Sequence, residues 1–151
     1  MMAEKLARVQ KVVLPLLRGH DDLLDPISVR QGIAPAKVGS WVENIDYRDF
    51  PLVNIRRIGG PRHETRPKQL ALPVIEMTCY HTEGLVECEE LYEACLDVLY
   101  DAVKFQTQTP SGYLHSIKET MGATQFSSPF MDSWRVQGLI ALGLRPPRKK
   151  E

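Results

Sequence analysis

Cys79, His81 and Cys88 are the nearest approach to a metal site in this 151-residue chain. On an extended strand Cys79 and His81 would share a face, and Cys88 would open the next element. Three soft ligands could then converge. The competing reading makes the two cysteines small core residues and the histidine a surface residue. Asp21, Asp22 and Asp25 are a second candidate, three carboxylates suited to a hard cation. They sit among glycines and prolines, where aspartates commonly serve as turn and cap residues. His115 and Ser116 are adjacent, and neighbours on a strand point to opposite faces, which separates base from nucleophile. No P-loop, GxGxxG, GxSxG, HExxH or CxxC pattern occurs. The expectation is a chain with no catalytic residue, no cofactor and no metal.

Charge layout says more. Residues 56–68 hold Arg56, Arg57, Arg62, Arg66 and Lys68 against Glu64, a net +4. Residues 84–105 hold Glu87, Glu89, Glu90, Glu93, Asp97 and Asp101 against Lys104, a net −5. Three readings stand. The two segments are solvated faces, whose charges contribute little. The basic segment is a phosphate site, although it lacks interleaved aromatics. Or the segments are complementary between copies, and a heterologous contact of that kind closes into a ring when the rotation allows. On the last reading Arg56, Arg57 or Arg62 of one copy meets Glu87, Glu90 or Glu93 of the next. Residues 122–132 (GATQFSSPFMD) read as a long connection carrying Phe126, Pro129, Phe130 and Met131. Apolar residues on a connection tuck under it or mark a partner site, so Phe126, Phe130 and Met131 are candidate contacts.

The elements that must position these residues follow from periodicity. Leu6, Val9, Val13 and Leu16 recur at helical spacing, with Pro15 expected to kink or end that helix. Residues 18–40 read mostly as loop, with a short strand near Trp41–Ile45. A strand follows Pro51 (LVNIRRI), then a polar basic loop over 61–68. The run 69–81 (QLALPVIEMTCYH) is the longest strand candidate. Pro73 removes a ladder donor, which places the start of that strand at a sheet edge or a bulge. Residues 84–105 form the clearest helix, with Leu85, Cys88, Leu91, Tyr92, Cys95 and Leu99 in one stripe. Strands near 113–121 and 133–144 complete the order. That order predicts an α+β fold: one mixed, mostly antiparallel sheet of four to five strands with two helices packed on one face. Residues 1–146 read as one domain and 147–151 as a basic tail.

Composition narrows the class. The hydrophobic share is 43% and the charged share 25%, as in ordinary globular chains. Nineteen basic residues balance nineteen acidic ones, which argues against a dedicated nucleic-acid binder. Three cysteines cannot all pair within the chain and fall in apolar patterns, as in a reducing compartment. The N-terminus lacks the apolar run of a signal peptide, and no stretch reaches the roughly 18 residues of a membrane span. These features predict a soluble protein made in a cytoplasm.

The stretch Gly112–Ile140 (GYLHSIKETMGATQFSSPFMDSWRVQGLI) resembles the tail terminator proteins of long-tailed bacteriophages, in the version found in phages of actinobacteria. Residues 51–60 (PLVNIRRIGG) and 90–103 (ELYEACLDVLYDAV) support it. The resemblance implies a sheet covered by helices and a hexameric ring seated on the last ring of the tail tube. That ring would end tube growth at the head-proximal end of the virion tail and offer a surface to the head–tail connector or stopper protein. Its partners would be its own copies, the major tail tube protein and the connector. DNA would pass through the hole without sequence-specific binding, and no membrane would be involved. A head-closure or connector protein is the neighbouring alternative, and a small enzyme with an unrecognised site the distant one.

Overall fold

The computed structural model describes residues 6–18, 37–40, 51–129 and 132–148. The elements are α1 (Val9–Arg18), β1 (Lys37–Gly39), β2 (Leu52–Arg57), β3 (Val74–His81), α2 (Leu85–Lys104), β4 (Tyr113–Phe126) and β5 (Trp134–Arg145). The strands form one sheet in the order β1-β2-β3-β5-β4. β1 runs parallel to β2, and every other neighbouring pair is antiparallel. The fold is the expected α+β class, with a mixed, mostly antiparallel sheet.

Alternation decides which sheet face is covered. Val53 and Ile55 on β2, Ile75, Met77 and Cys79 on β3, and Val136, Ile140 and Leu142 on β5 all point one way. They join Val9, Val12, Val13 and Leu17 of α1 and Cys88, Leu91, Tyr92, Cys95 and Leu99 of α2 in one buried cluster. Both helices therefore pack on the same face. The other face carries a polar row. Thr78 Oγ1 donates to Gln137 Oε1 at 3.1 Å, Arg135 Nη2 donates to the same oxygen at 2.5 Å, and Arg56 pairs with Glu76 at 3.1 Å.

Several expectations change. Of the two outcomes expected at Pro15, an end is ruled out, since α1 continues through it to Arg18. Its buried face holds flanking tertiary contacts, which outweigh one lost backbone hydrogen bond. Within the stretch read as loop, residues 37–39 form β1, held because Arg18 Nε donates to the Val38 carbonyl at 3.0 Å. The expected strand at 41–45 lies outside the described residues. β3 starts at Val74, after Pro73, and lies between β2 and β5 rather than at an edge. Pro73 still takes part through its carbonyl, which accepts from Leu142 N at 2.8 Å. Residues 122–126 are strand, not connection. β4 runs to Phe126, and the residues between the two strands are 127–133. Three register irregularities along β4 hid its period from the sequence.

α2 seats on β5 through one close approach. A Cβ at Gly138 would lie 1.8 Å from the Tyr92 hydroxyl, so only a residue without a side chain leaves room for that ring. The hydroxyl is buried without a hydrogen-bond partner, and burial holds its pKa well above the usual phenol range. Gly138→Ala should therefore destabilise the fold by about 1–3 kcal/mol, the usual cost of overpacking a core. Tyr92→Phe removes an unsatisfied buried group and should be neutral or stabilising. In urea titrations the double variant Tyr92→Phe with Gly138→Ala should recover part of the loss. Equal losses with and without the hydroxyl would refute this account of the contact.

Candidate subunit-contact surfaces

Strand register sorts the charged residues to two ends of the sheet. Arg57 pairs with Ile75, Val74 with Ala141 and Tyr113 with Arg145, so β2 ends, β3 begins, β4 begins and β5 ends together. The excursion between β2 and β3 closes on this end as well. Arg62 bridges Ala71, Ala71 bridges Leu144, and His63 N donates to the Leu70 carbonyl at 2.9 Å. The basic loop of the sequence reading is thus an ordered, paired excursion. α2 leaves β3 at the far end and returns here with Lys104. Beyond β5, Arg148 lies 5.0 Å over the Tyr113 ring and donates its backbone N–H to Gln108 Oε1 at 3.0 Å. Arg57, Arg62, Arg66, Lys68, Lys104, Arg145 and Arg148 gather at this end, with Asp97 and Asp101 of the last turns of α2 beside them.

The opposite end is acidic. His81 pairs with Trp134, Phe126 with Arg135, and α2 begins at Leu85. Glu83, Glu87, Glu89 and Glu90 lie in or before the first turns of α2, where carboxylates suit the positive helix end. Asp132 joins them between β4 and β5. α2 has 20 residues, which at about 1.5 Å each separates the poles by roughly 30 Å. That is several Debye lengths at about 8 Å each, so the poles cannot neutralise one another within a copy.

The candidate contacts fall as follows. Arg56 is partly spent on Glu76, although its own side chain stays 62% exposed. Arg57 is exposed and donates to the Gly59 and Gly60 carbonyls at 3.2 and 3.1 Å. Arg62 and Glu93 are exposed, and Glu87 and Glu90 are half-buried. Phe126 is half-buried with the Arg135 guanidinium 5.1 Å from its ring. Phe130 and Met131 lie outside the described residues. Sequence reading missed the polar row of Thr78, Arg135 and Gln137. The signal was alternation within β3 and β5, but the register that joins them was not legible. It also missed Phe105, 69% exposed at the end of α2, beside an apolar cleft of about 500 Å³ with Pro15, Leu16, Val98 and Pro110 on its walls.

The soft-ligand candidates are engaged elsewhere. The Cys88 thiol donates to the Cys79 carbonyl at 3.1 Å, and burial pushes its pKa up to about 11. Burial also raises the Cys79 thiol well above its ordinary value. Burial thus favours the protonated thiol at both positions. His81 is buried at 3% exposure, which overturns the surface placement in the competing reading. Its Nδ1 accepts the Glu83 backbone N–H at 3.0 Å. Asp21, Asp22 and Asp25 lie outside the described residues.

A sequence model described as phage tail termination protein matches residues 5–151. The chain belongs to that family. The Gene 22 protein of Mycobacterium phage D29 is 59% identical over 143 residues, covering 95% of this chain and 96% of the relative. The Gene 22 protein of Mycobacterium phage L5 is 54% identical over 144 residues, with coverage of 95% and 96%. A chain from the virion of a native gene transfer agent particle shares the fold at a TM-score of 0.53 and 11% identity, covering 91% of this chain and 94% of that one. Family membership makes the protein a structural component of the phage tail. Among the described residues no helix is long and apolar enough to cross a membrane.

His81 links the acidic end to pH. Burial lowers its pKa, against a smaller opposing pull from Glu83 and Glu87. The unfolded chain then takes up the proton more readily than the folded one. Stability should be full above the ordinary histidine value of about 6.5 and fall as pH drops through it toward the folded value. Urea midpoints measured from about pH 7 to 5 should show this decline, and His81→Gln should flatten it. An unchanged slope in the variant would place the titrating group elsewhere.

Proposed function

We propose that six copies close into a ring that caps the head-proximal end of the tail tube. The ring ends tube growth and presents the surface to which the head–tail connector or stopper protein joins. Its lower neighbour is the major tail tube protein, and DNA crosses the hole without sequence-specific contacts. The acidic first turns of α2, at the far end of the helix from the basic β2–β3 excursion, carry this reading. A heterologous contact lets the basic end of one copy meet the acidic surface of the next, which one copy alone cannot achieve. Membership in the tail termination family and neutral net charge support it.

The assembled species should weigh six chains of 17.1 kDa each, about 103 kDa. Light scattering over a concentration series and electron micrographs with purified tail tubes test this. Rings on tube ends support the reading, and rings on heads support a connector instead. A monomer under every condition, tubes included, would sink it.

Arg62 is the cleanest contact to reverse, because Arg56 and Arg57 also serve their own chain. Arg62→Glu should weaken assembly at low salt, and Glu93→Arg should restore part of it. Each exposed pair is worth on the order of 1 kcal/mol or less, so the effect should fade as salt rises. Intact rings in Arg62→Glu at low salt would remove this pair.

Phe126→Ala with Phe130→Ala tests the second contact region. The double variant should keep its melting temperature within a few degrees yet fail to cap tubes, as loss of partner anchors would produce. A stability loss of about 3–5 kcal/mol would instead assign both rings to the protein's own core.

A further inference from the structure

We propose that the pocket between α1, the end of β1 and the turn before β4 binds a phosphate group. The inference is independent of the ring. α1 buries Val9, Val12, Val13 and Leu17, and turns Arg8, Lys11 and Arg18 outward. Those three cations line a pocket of about 410 Å³ together with Gln10, Ser40 and Ser111. Among the described residues no carboxylate lines it. Among the described residues neither Arg8 nor Lys11 has an ion-pair partner, and Arg18 spends only Nε, on Val38. Three segments far apart in sequence therefore aim positive charge and hydroxyl donors at one space.

A solvated basic face would explain the cations but not Gln10. Its carboxamide oxygen is buried and has no hydrogen-bond partner, a costly arrangement unless something else satisfies the group. A half-turn of the carboxamide presents its NH₂ in the same volume, since the two ends are nearly identical in shape. That position has no exposed surface, so the NH₂ joins the three cations only when the side chain rotates toward the pocket.

The far wall is rigid. Thr109 and Gly112 exchange backbone hydrogen bonds at 2.9 and 3.2 Å, and Thr109 Oγ1 accepts from Ser111 N at 3.2 Å. Gly112 has φ +140°, and a Cβ there would lie 2.3 Å from the Arg145 carbonyl. The same Cβ position is 3.5 Å from Val12 Cγ2, so the turn sits against α1 and fixes Ser111 beside it. A tetrahedral dianion offers acceptor oxygens in several directions, which matches guanidinium, ammonium, amide and hydroxyl donors arriving from three walls. A planar carboxylate would satisfy fewer of them.

The test is an NMR titration of the full chain with inorganic phosphate in chloride buffer. The Gln10 side-chain amide and the Ser111 backbone amide should shift and saturate. Arg8→Gln with Lys11→Gln should weaken this binding about tenfold or more at low salt, since two charge-assisted contacts are lost. Lys118→Gln, on β4 and not among the lining residues, should leave it unchanged. Ser111→Ala, on the opposite wall, is the second variant if the double change disturbs α1. Tripolyphosphate and a short DNA duplex then separate the sources. Displacement of phosphate by the duplex identifies a nucleic-acid backbone as the natural ligand, and displacement by tripolyphosphate alone identifies a free phosphate compound. Shifts that are absent, or spread equally over all basic residues and unaltered by the α1 double variant, would overturn the proposal.

Discussion

The phenol tip of Tyr92 on α2 sits over Gly138 of β5, while the Cys88 thiol on the same helix donates to the Cys79 carbonyl of β3. These two contacts fix where α2 lies and how far it stands from the sheet. Protein interiors are packed as densely as organic crystals, so one missing side chain at Gly138 determines which helix residue can approach there. The remainder of the stripe, Leu91, Cys95 and Leu99, then meets Met77, Ile75 and Ile140 in the one core. α1 closes the same cluster from the side of β1 and β2. Burial favours the protonated thiols of Cys79 and Cys88, which suits them to packing.

Fixing α2 in this way also fixes the electrostatics. The helix must start where β3 ends and return to where β4 begins. Its acidic first turns are thereby carried to one end of the sheet, and the β2–β3 excursion with Arg62, Arg66 and Lys68 stays at the other. Charges placed at opposite ends of a helix about 30 Å long contribute little to the stability of one copy. They are free to act between molecules, where they set orientation and encounter rate more than affinity. Among the described residues the basic excursion and the acidic first turns of α2 thus lie at opposite ends of the sheet.

The sequence was legible wherever one period governed a segment. α2 carries a continuous apolar stripe, and the expected helix over 84–105 appears as Leu85–Lys104. β5 was readable in position, since the expected strand over 133–144 appears as Trp134–Arg145. β4 was only half readable. Its irregularities shift the pairing three times, and most of its side chains are exposed, so no hydrophobic period extended past Met121. β1 is three residues long and depends on Arg18 and β2, neither of which is local. The candidate surface was legible as two oppositely charged segments, but not as two ends of one sheet, because only register brings residues 57, 62, 104, 145 and 148 together. Ser40 and Ser111 carried no signal at all; they matter through the tertiary position of α1.

The sheet edges constrain how copies can meet. β4 is a long edge strand, yet it is bulged and carries His115, Lys118 and Glu119, the features that discourage addition of another strand. Glu119 is further held by the Tyr100 hydroxyl, which donates to it at 3.0 Å from α2. The other edge, β1, offers three residues. A ring made by continuing the sheet from copy to copy would rest on a guarded edge and a very short one. Contact through the charged ends needs neither edge. It uses side chains already held in place by the Arg62–Ala71 bridge on one side and by the first turns of α2 on the other. In the proposed ring, copies would therefore meet through the ends of the strands and not through the bulged, charged edge of β4.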